Sequence, residues 1–122
     1  MEAIITKCTD IEALEVLRHP TVMSALGMYS EAILDTFEWW MIDGKLLVAA
    51  RPDGKEVEVH IACKLRDRSV ARQSIKDGLI WLVGRGFSTI WTTAPDERKA
   101  LVNMLKSLQF RKIGNRWIYG NG

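Results

Sequence analysis

The sequence predicts one α/β (α+β) domain on a mixed, mostly antiparallel sheet, with elements in the order β-α-α-β-β-β-α-β-α-β-β. Three observations carry this. Asp43-Gly44 and Asp53-Gly54 each separate β-prone runs, and Asp-Gly suits a type I′ hairpin turn, which needs positive φ at both central residues. Two such turns make a three-strand meander. Beyond the third run the apolar period changes from two to that of a helix, and another strand follows that helix. A strand-helix-strand unit of this kind implies a right-handed crossover and a parallel strand pair.

The elements follow in order. Ala3 to Lys7 is a short β-prone run led by Ile4 and Ile5. Thr9 and Glu12 have capping-box spacing, so a helix starts there; Ile11, Leu14 and Leu17 are its expected apolar stripe, and His19-Pro20 its stop. A further helical stretch is expected from about Thr21 to Leu34, interrupted near Gly27. The meander strands are Thr36 to Ile42, Lys45 to Arg51 and Glu56 to Leu65. In the last, Val57, Val59, Ile61 and Cys63 alternate with Glu56, Glu58, His60 and Lys64, giving one buried face and one polar face.

Between Ser69 and Val83, the residues Ala71, Ile75, Leu79 and Leu82 form a helical stripe that Gly84 and Gly86 end. Phe87 to Thr93 reads as a strand, and Ala94-Pro95 breaks it. Asp96 is the expected cap of a helix carrying Leu101, Met104, Leu105 and Leu108. Phe110 to Ile113 and Arg116 to Tyr119, joined at Gly114-Asn115, read as a closing hairpin. Consecutive Trp39 and Trp40 must point to opposite faces, so both are core only if both faces are covered. Trp117 and Tyr119 share one face of the last strand and are candidates for an interface.

Composition narrows the function classes. At 122 residues the chain amounts to a single domain, 1–122, large enough to bury roughly two-thirds of its unfolded surface without disulfides or metal. Apolar residues make up 48% and charged residues 26%, which argues against disorder. With 17 basic and 15 acidic residues, the net charge of +2 lacks the concentrated basic footprint of a nucleic-acid binder. His19 and His60 have no paired ligand spacing, and Cys8 and Cys63 form no CxxC, so no metal site is expected. Cys63 and His60 lie on opposite strand faces, so Cys63 reads as a small buried residue and not a nucleophile. No apolar stretch approaches the roughly 20 residues of a membrane span. MEAIITKCTD has no basic region before an apolar run, so a signal peptide is not expected and a cytoplasmic location is.

The element order, with a long central strand running into a basic loop and a helix, resembles the GNAT superfamily of N-acetyltransferases. That family holds acetyl-CoA between two splayed parallel strands. Arg66-Asp67-Arg68-Ser69-Val70-Ala71 falls in register with its pyrophosphate-binding loop, and Ala100 to Gly114 (ALVNMLKSLQFRKIG) is similar to its last helix and the exit into the closing hairpin. The motif resemblance covers about 20 residues, the topology most of the chain. It implies that the backbone of Ile61, Ala62 and Cys63 aligns the pantetheine arm. It also implies that Arg66, Arg68, Ser69, Val70, Ala71 and Arg72 hold the pyrophosphate, where helix amides and dipole favour an anion. The plain alternative is a solvated helix start. Glu58 or His60 would be the base for an amine acceptor, a small molecule or a protein; the plain alternative is alternating charge on an exposed sheet face.

Four positions depart from the family pattern. Ser69 replaces the loop glycine, Asp67 puts a carboxylate beside the phosphates, Gln109 replaces the glycine before Phe110, and Leu105 replaces the tyrosine that protonates the departing thiolate. Two functions therefore follow from the resemblance. One is an acyl-CoA-dependent N-acyltransferase. The other is a non-catalytic binding or assembly module that self-associates through its aromatic tail. The overall look of the chain is also similar to small acetyltransferase-like bacteriophage head-assembly or internal virion proteins, which would place it in an infected cell or a virion. The two functions differ on whether the notch beside Ile61 to Cys63 is open or plugged.

Overall fold

The computed structural model describes residues 4–19, 36–63 and 68–120. The expected helix over 21–34 and the loop residues Arg66 and Asp67 lie outside the described residues, as do the side chains of Cys63, Arg68, Ser69, Val70 and Ala71.

Strand β1 (Ile5–Lys7) leads through Thr9 into helix α1 (Asp10–Leu17). The capping box forms: Glu12 N donates to Thr9 Oγ1 at 3.2 Å, and Thr9 N donates to Glu12 Oε1 at 3.0 Å. The helix turns a different stripe inward from the one expected. Ala13, Val16 and Leu17 are buried, whereas Ile11 is 80% exposed. Leu17 belongs to both patterns, and the short Ala13 lets the helix sit close to the sheet.

Strands β2 (Glu38–Ile42), β3 (Leu46–Asp53) and β4 (Glu56–Cys63) form the meander. Its first turn has positive φ at both Asp43 and Gly44 as expected, 53° and 67°, and Lys45 N donates to Ile42 O at 3.0 Å, but Ile42 pairs with Leu46, so Lys45 joins the loop as a third residue. The second differs. Asp53 pairs with Glu56, so the turn residues are Gly54 and Lys55, and positive φ falls on Gly54 in the first central position, as in a type II′ turn. The register is thereby one step from the one Asp53-Gly54 centring would give, and Arg51 lies opposite Glu58 instead of Glu56.

Helix α2 (Arg68–Gly84) crosses to β5 (Thr89–Thr92), which pairs parallel to β4. Helix α3 (Lys99–Ser107) and the hairpin β6 (Phe110–Ile113) and β7 (Arg116–Tyr119) complete the chain. The seven described strands run β1-β2-β3-β4-β5-β7-β6, antiparallel except for β4 and β5. The N-cap of α3 is Arg98 without a side-chain cap; Asp96, the expected cap, accepts from Lys112 Nζ at 3.1 Å instead.

Both sheet faces are covered. On one, α1 packs Ala13, Val16 and Leu17 on Trp39, Leu47 and Ala49. On the other, Ile75, Leu79 and Leu82 of α2 and Leu105 of α3 cover Ile42, Val57, Val59 and Ile90. Trp39 is therefore core on the α1 side, and Trp40 packs on the other, edge-on to Trp81 with centroids 4.8 Å apart. Trp117 is 4% exposed in the α2–α3 core, whereas Tyr119 is half-buried and packs on Phe110, so the expected interface face is largely occupied on the Trp117 side. Among the described residues no helix is long and apolar enough to cross a membrane.

Two backbone positions carry testable cost. Gln109 holds φ of 69°, the left-handed conformation that glycine adopts freely, at the position where the family pattern has glycine. Gln109→Gly is expected to stabilise the fold by about 1 kcal/mol in urea denaturation. At Gly78 an added Cβ would sit 2.8 Å from Ile42 Cδ1. Gly78→Ala gains about 1 kcal/mol of helix propensity but meets an overpacking cost of about 1–3 kcal/mol. We expect it to be neutral or destabilising alone and stabilising in an Ile42→Val background, a sign change that a double-mutant cycle reads directly.

Candidate functional site

The site begins where β4 and β5 part. Their parallel ladder covers three pairs, Glu56 with Thr89, Val57 with Ile90 and Glu58 with Trp91. β5 pairs on its other edge with β7, through Trp91 with Ile118 and Thr92 with Trp117, while β4 continues to Cys63 paired, among the described residues, only to β3. Among the described residues, the β5-facing backbone of β4 beyond Glu58 therefore has no strand partner. Beside it, on the α2–α3 face, lies a cavity of about 340 Å³. Val59, Ile61 and Ala62 of β4, Ile75 and Leu79 of α2, and Leu101 and Met104 of α3 line it. The notch is open. Its size and mostly apolar lining fall in the range of small-molecule sites.

Glu58, expected on an exposed face, is buried, with its side chain only 11% exposed. The α1-side hairpin face explains this, since Arg51 lies directly opposite on β3 and His60 follows two residues along β4. Arg51 Nη2 donates to Glu58 Oε1, and His60 Nε2 lies 2.6 Å from Glu58 Oε2. Burial pushes the Glu58 carboxyl up. The hydrogen bonds from His60 and Arg51 and the charges beside it outweigh that and leave it below its ordinary value. Glu58 is thus held as an anion. An ionised carboxylate only accepts, so His60 Nε2 carries a proton toward Glu58, which in a neutral imidazole makes Nδ1 the acceptor.

His60 Nδ1 faces the gap. By strand alternation Glu58 and His60 lie on the α1 side, whereas Thr92 follows Ile90 on the α2–α3 side. The parted strands let Thr92 Oγ1 come within 3.4 Å of Nδ1, a contact long enough to be weak. His60 and Thr92 both line the cavity. The His60 side chain is 36% exposed, so this nitrogen joins the cavity to the other side of the sheet. Phe37 packs edge-on to the imidazole at 5.7 Å, and the Arg51 guanidinium sits over Phe37 at 4.9 Å.

Of the other expected site residues, Ile61 and Ala62 lie beside the cavity and Cys63 ends β4. Arg68, Ser69, Val70, Ala71 and Arg72 form the first turn and more of α2. Arg72 is tied to the far end of α3, with Nε 3.3 Å from Ser107 Oγ and Nη2 3.4 Å from Ser107 O. Leu105 is buried and lines the cavity. Arg51, Phe37 and Thr92 escape a reading of the sequence. Arg51 would have been found from the correct hairpin register; nothing local marks the other two.

No protein-family model matches the chain, and no curated protein matches it. Solved structures do. Ard1 from Thermoplasma volcanium is similar with a TM-score of 0.73 at 14% identity, over 97% of this chain and 95% of that one. The ribosomal-protein-S18-alanine N-acetyltransferase from Escherichia coli gives 0.71 at 14% identity, over 95% and 88%. YhhK from E. coli, a putative N-acetyl transferase bound to coenzyme A, gives 0.68 at 15% identity, over 98% of each chain. The fold is that of the GNAT acetyltransferases. Within that GNAT fold, the open notch and the Arg51–Glu58–His60 cluster are properties of this chain's own residues.

The lowered Glu58 carboxyl has a consequence for stability. A group depressed in the folded state contributes stability above its unfolded pKa and loses it as pH falls through the folded one. Glu58→Gln is therefore expected to be less stable than the wild type at neutral pH. The gap should close as pH drops below the ordinary carboxylate range. Urea midpoints measured across that range check this, and a constant gap would assign the loss to packing.

Proposed function

We propose that the protein is an acyl-CoA-dependent N-acetyltransferase acting on an amine. The observation that carries this reading is the open cavity at the strand parting, with a tautomer-fixed imidazole at its wall. The residues present fit an acetyl-CoA arm. An apolar slot runs along a strand segment whose amides lack a strand partner among the described residues, and α2 starts beyond it. Val59 to Cys63 would hold the pantetheine through backbone hydrogen bonds. The α2 start, with Arg66, Arg68, Ser69, Val70 and Ala71, would receive the pyrophosphate. Arg72 would act indirectly, by fastening α2 to Ser107.

When bound, acetyl-CoA supplies a thioester carbonyl activated for attack by an amine. The chain's own task is to deliver that amine unprotonated. His60 Nδ1 takes one proton from the acceptor ammonium, and Glu58 stabilises the resulting imidazolium through Nε2–H. The new C–N bond replaces the C–S bond, and the second nitrogen proton leaves by way of solvent. Leu105 has no proton to give the thiolate, which therefore takes its own from water.

Glu58 serves in this reading as the group that orients His60, because a carboxylate held anionic by two donors is a weak base. The acceptor would approach His60 from the α1 side. A bacteriophage assembly role has no support from the fold comparisons, and the open notch favours the ligand-binding reading over a plugged, purely structural module.

Coenzyme A at about 100 times its dissociation constant is expected to stabilise the fold by about 2.7 kcal/mol and raise the melting midpoint by several degrees. His60→Ala is expected to keep that shift while lowering the acetylation rate by about 10²–10⁴-fold. No shift at millimolar coenzyme A would overturn the reading and leave a binding module. A shift with undiminished turnover in His60→Ala would remove His60 as base.

A further inference from the structure

The four side chains at the strand parting form a closed circuit. Arg51 bonds Glu58 and covers Phe37; Glu58 bonds His60; Phe37 packs edge-on to His60. Arg51 is the member that touches both supports of the imidazole, and it does so from the surface, with half of its side chain exposed. We infer that Arg51 is a positioning residue that fixes His60 in the Nε2–H tautomer, with Nδ1 turned to the cavity, by keeping Glu58 a pure hydrogen-bond acceptor and by holding Phe37 against the ring.

The chemistry behind this is a choice between two tautomers. A buried carboxylate without a counter-charge tends to take a proton. A protonated Glu58 would donate from its O–H to Nε2, and the ring proton would then sit on Nδ1, where it blocks the face turned to the cavity. Arg51 prevents that exchange. Its planar fork matches a carboxylate in a way that an ammonium does not, and it stacks on aromatic rings. The other charged groups on this part of the hairpin face, Asp53 and Glu56, pair with each other one step beyond Arg51 and are both exposed. They add negative charge and would not replace the guanidinium.

The catalytic side of this inference rests on the acetyltransferase reading; the tautomer does not. The chain has two histidines, so ¹⁵N-histidine NMR on the wild type and on a His19→Asn variant isolates the His60 signals. At a pH where the ring is neutral, the wild type is expected to show one tautomer, with protonated Nε2. Arg51→Met keeps the aliphatic stem and should show mixed tautomers or the Nδ1–H form, together with loss of the nuclear Overhauser contact between Phe37 and His60. Arg51→Lys keeps the charge without the fork and should lie between the two. If Arg51→Met does not fold, Arg51→Lys alone decides. An unchanged single tautomer in the folded variants would overturn the inference.

Where the wild type acetylates an amine, Arg51→Met is expected to lower kcat about tenfold with KM for acetyl-CoA unchanged, and Arg51→Lys to restore part of it. A wild type without activity that still loses the tautomer in Arg51→Met would sink the acetyltransferase reading and leave the role of Arg51 standing.

Discussion

Everything distinctive about this molecule depends on β4 serving two neighbours of unequal length. Toward β3 it pairs through eight residues, Glu56 to Cys63, and that ladder is anchored by the Gly54-Lys55 turn. Toward β5 it pairs through three. On its other edge β5 pairs with β7 through Trp91 and Thr92, so β5 stays with the closing hairpin where it leaves β4. A sheet that parts in its middle leaves backbone polar groups without strand partners, and such groups are costly unless water or a ligand satisfies them. Here they border a cavity, so the parting is a place for a ligand rather than a defect in the ladder.

The same parting explains how a buried ionic cluster is tolerated. Removing a carboxylate from water is costly, and the attraction of one partner often fails to offset it. Glu58 has two donors, one of which, Arg51, remains half in solvent and keeps much of its own hydration. The balance therefore favours the anion despite burial, in agreement with the lowered carboxyl. His60 gains a fixed ring at small cost, because its free nitrogen faces a gap and not a packed core. The pair would be far less favourable one step earlier on β4, where Val57 is fully enclosed.

Much of this fold is legible in the sequence, for physical reasons that differ by element. The meander, the α2 stripe of Ile75, Leu79 and Leu82 and the closing hairpin rest on strong local signals, namely turn glycines and apolar period. Helix α1 misleads because eight residues hold too few apolar positions to separate the stripe through Ile11 from the one through Ala13. The site is half legible. His60 and Glu58 stand out as ionisable residues on a central strand, but their partner was hidden by a turn. Centring the second hairpin on Asp53-Gly54 puts Arg51 opposite Glu56; the actual Gly54-Lys55 centring puts it opposite Glu58. One residue of turn registry separates a solvated surface charge from a group that governs the site. Thr92 and Phe37 reach His60 only through tertiary geometry, which no local pattern encodes.

Leu105, where the family pattern has a tyrosine to protonate the leaving group, weighs less than it first suggests once the two proton transfers are compared. A thiol has an ordinary pKa near about 8.5, so a thiolate is only about 1.5 units from its protonated form at neutral pH, roughly 2 kcal/mol. A lysine-type ammonium, near about 10.4, lies more than 3 units away, roughly 4.6 kcal/mol, while an α-ammonium near about 7.7–8.0 lies within one unit. Deprotonating the acceptor is therefore the larger demand for a lysine acceptor and the smaller one for an α-amine. A site that retains an oriented imidazole and lacks an acid has kept the group that the harder step needs. With an α-amine acceptor, neither transfer requires more than a couple of kcal/mol of assistance, and the demand that Leu105 leaves unmet at the thiolate is the same for either amine.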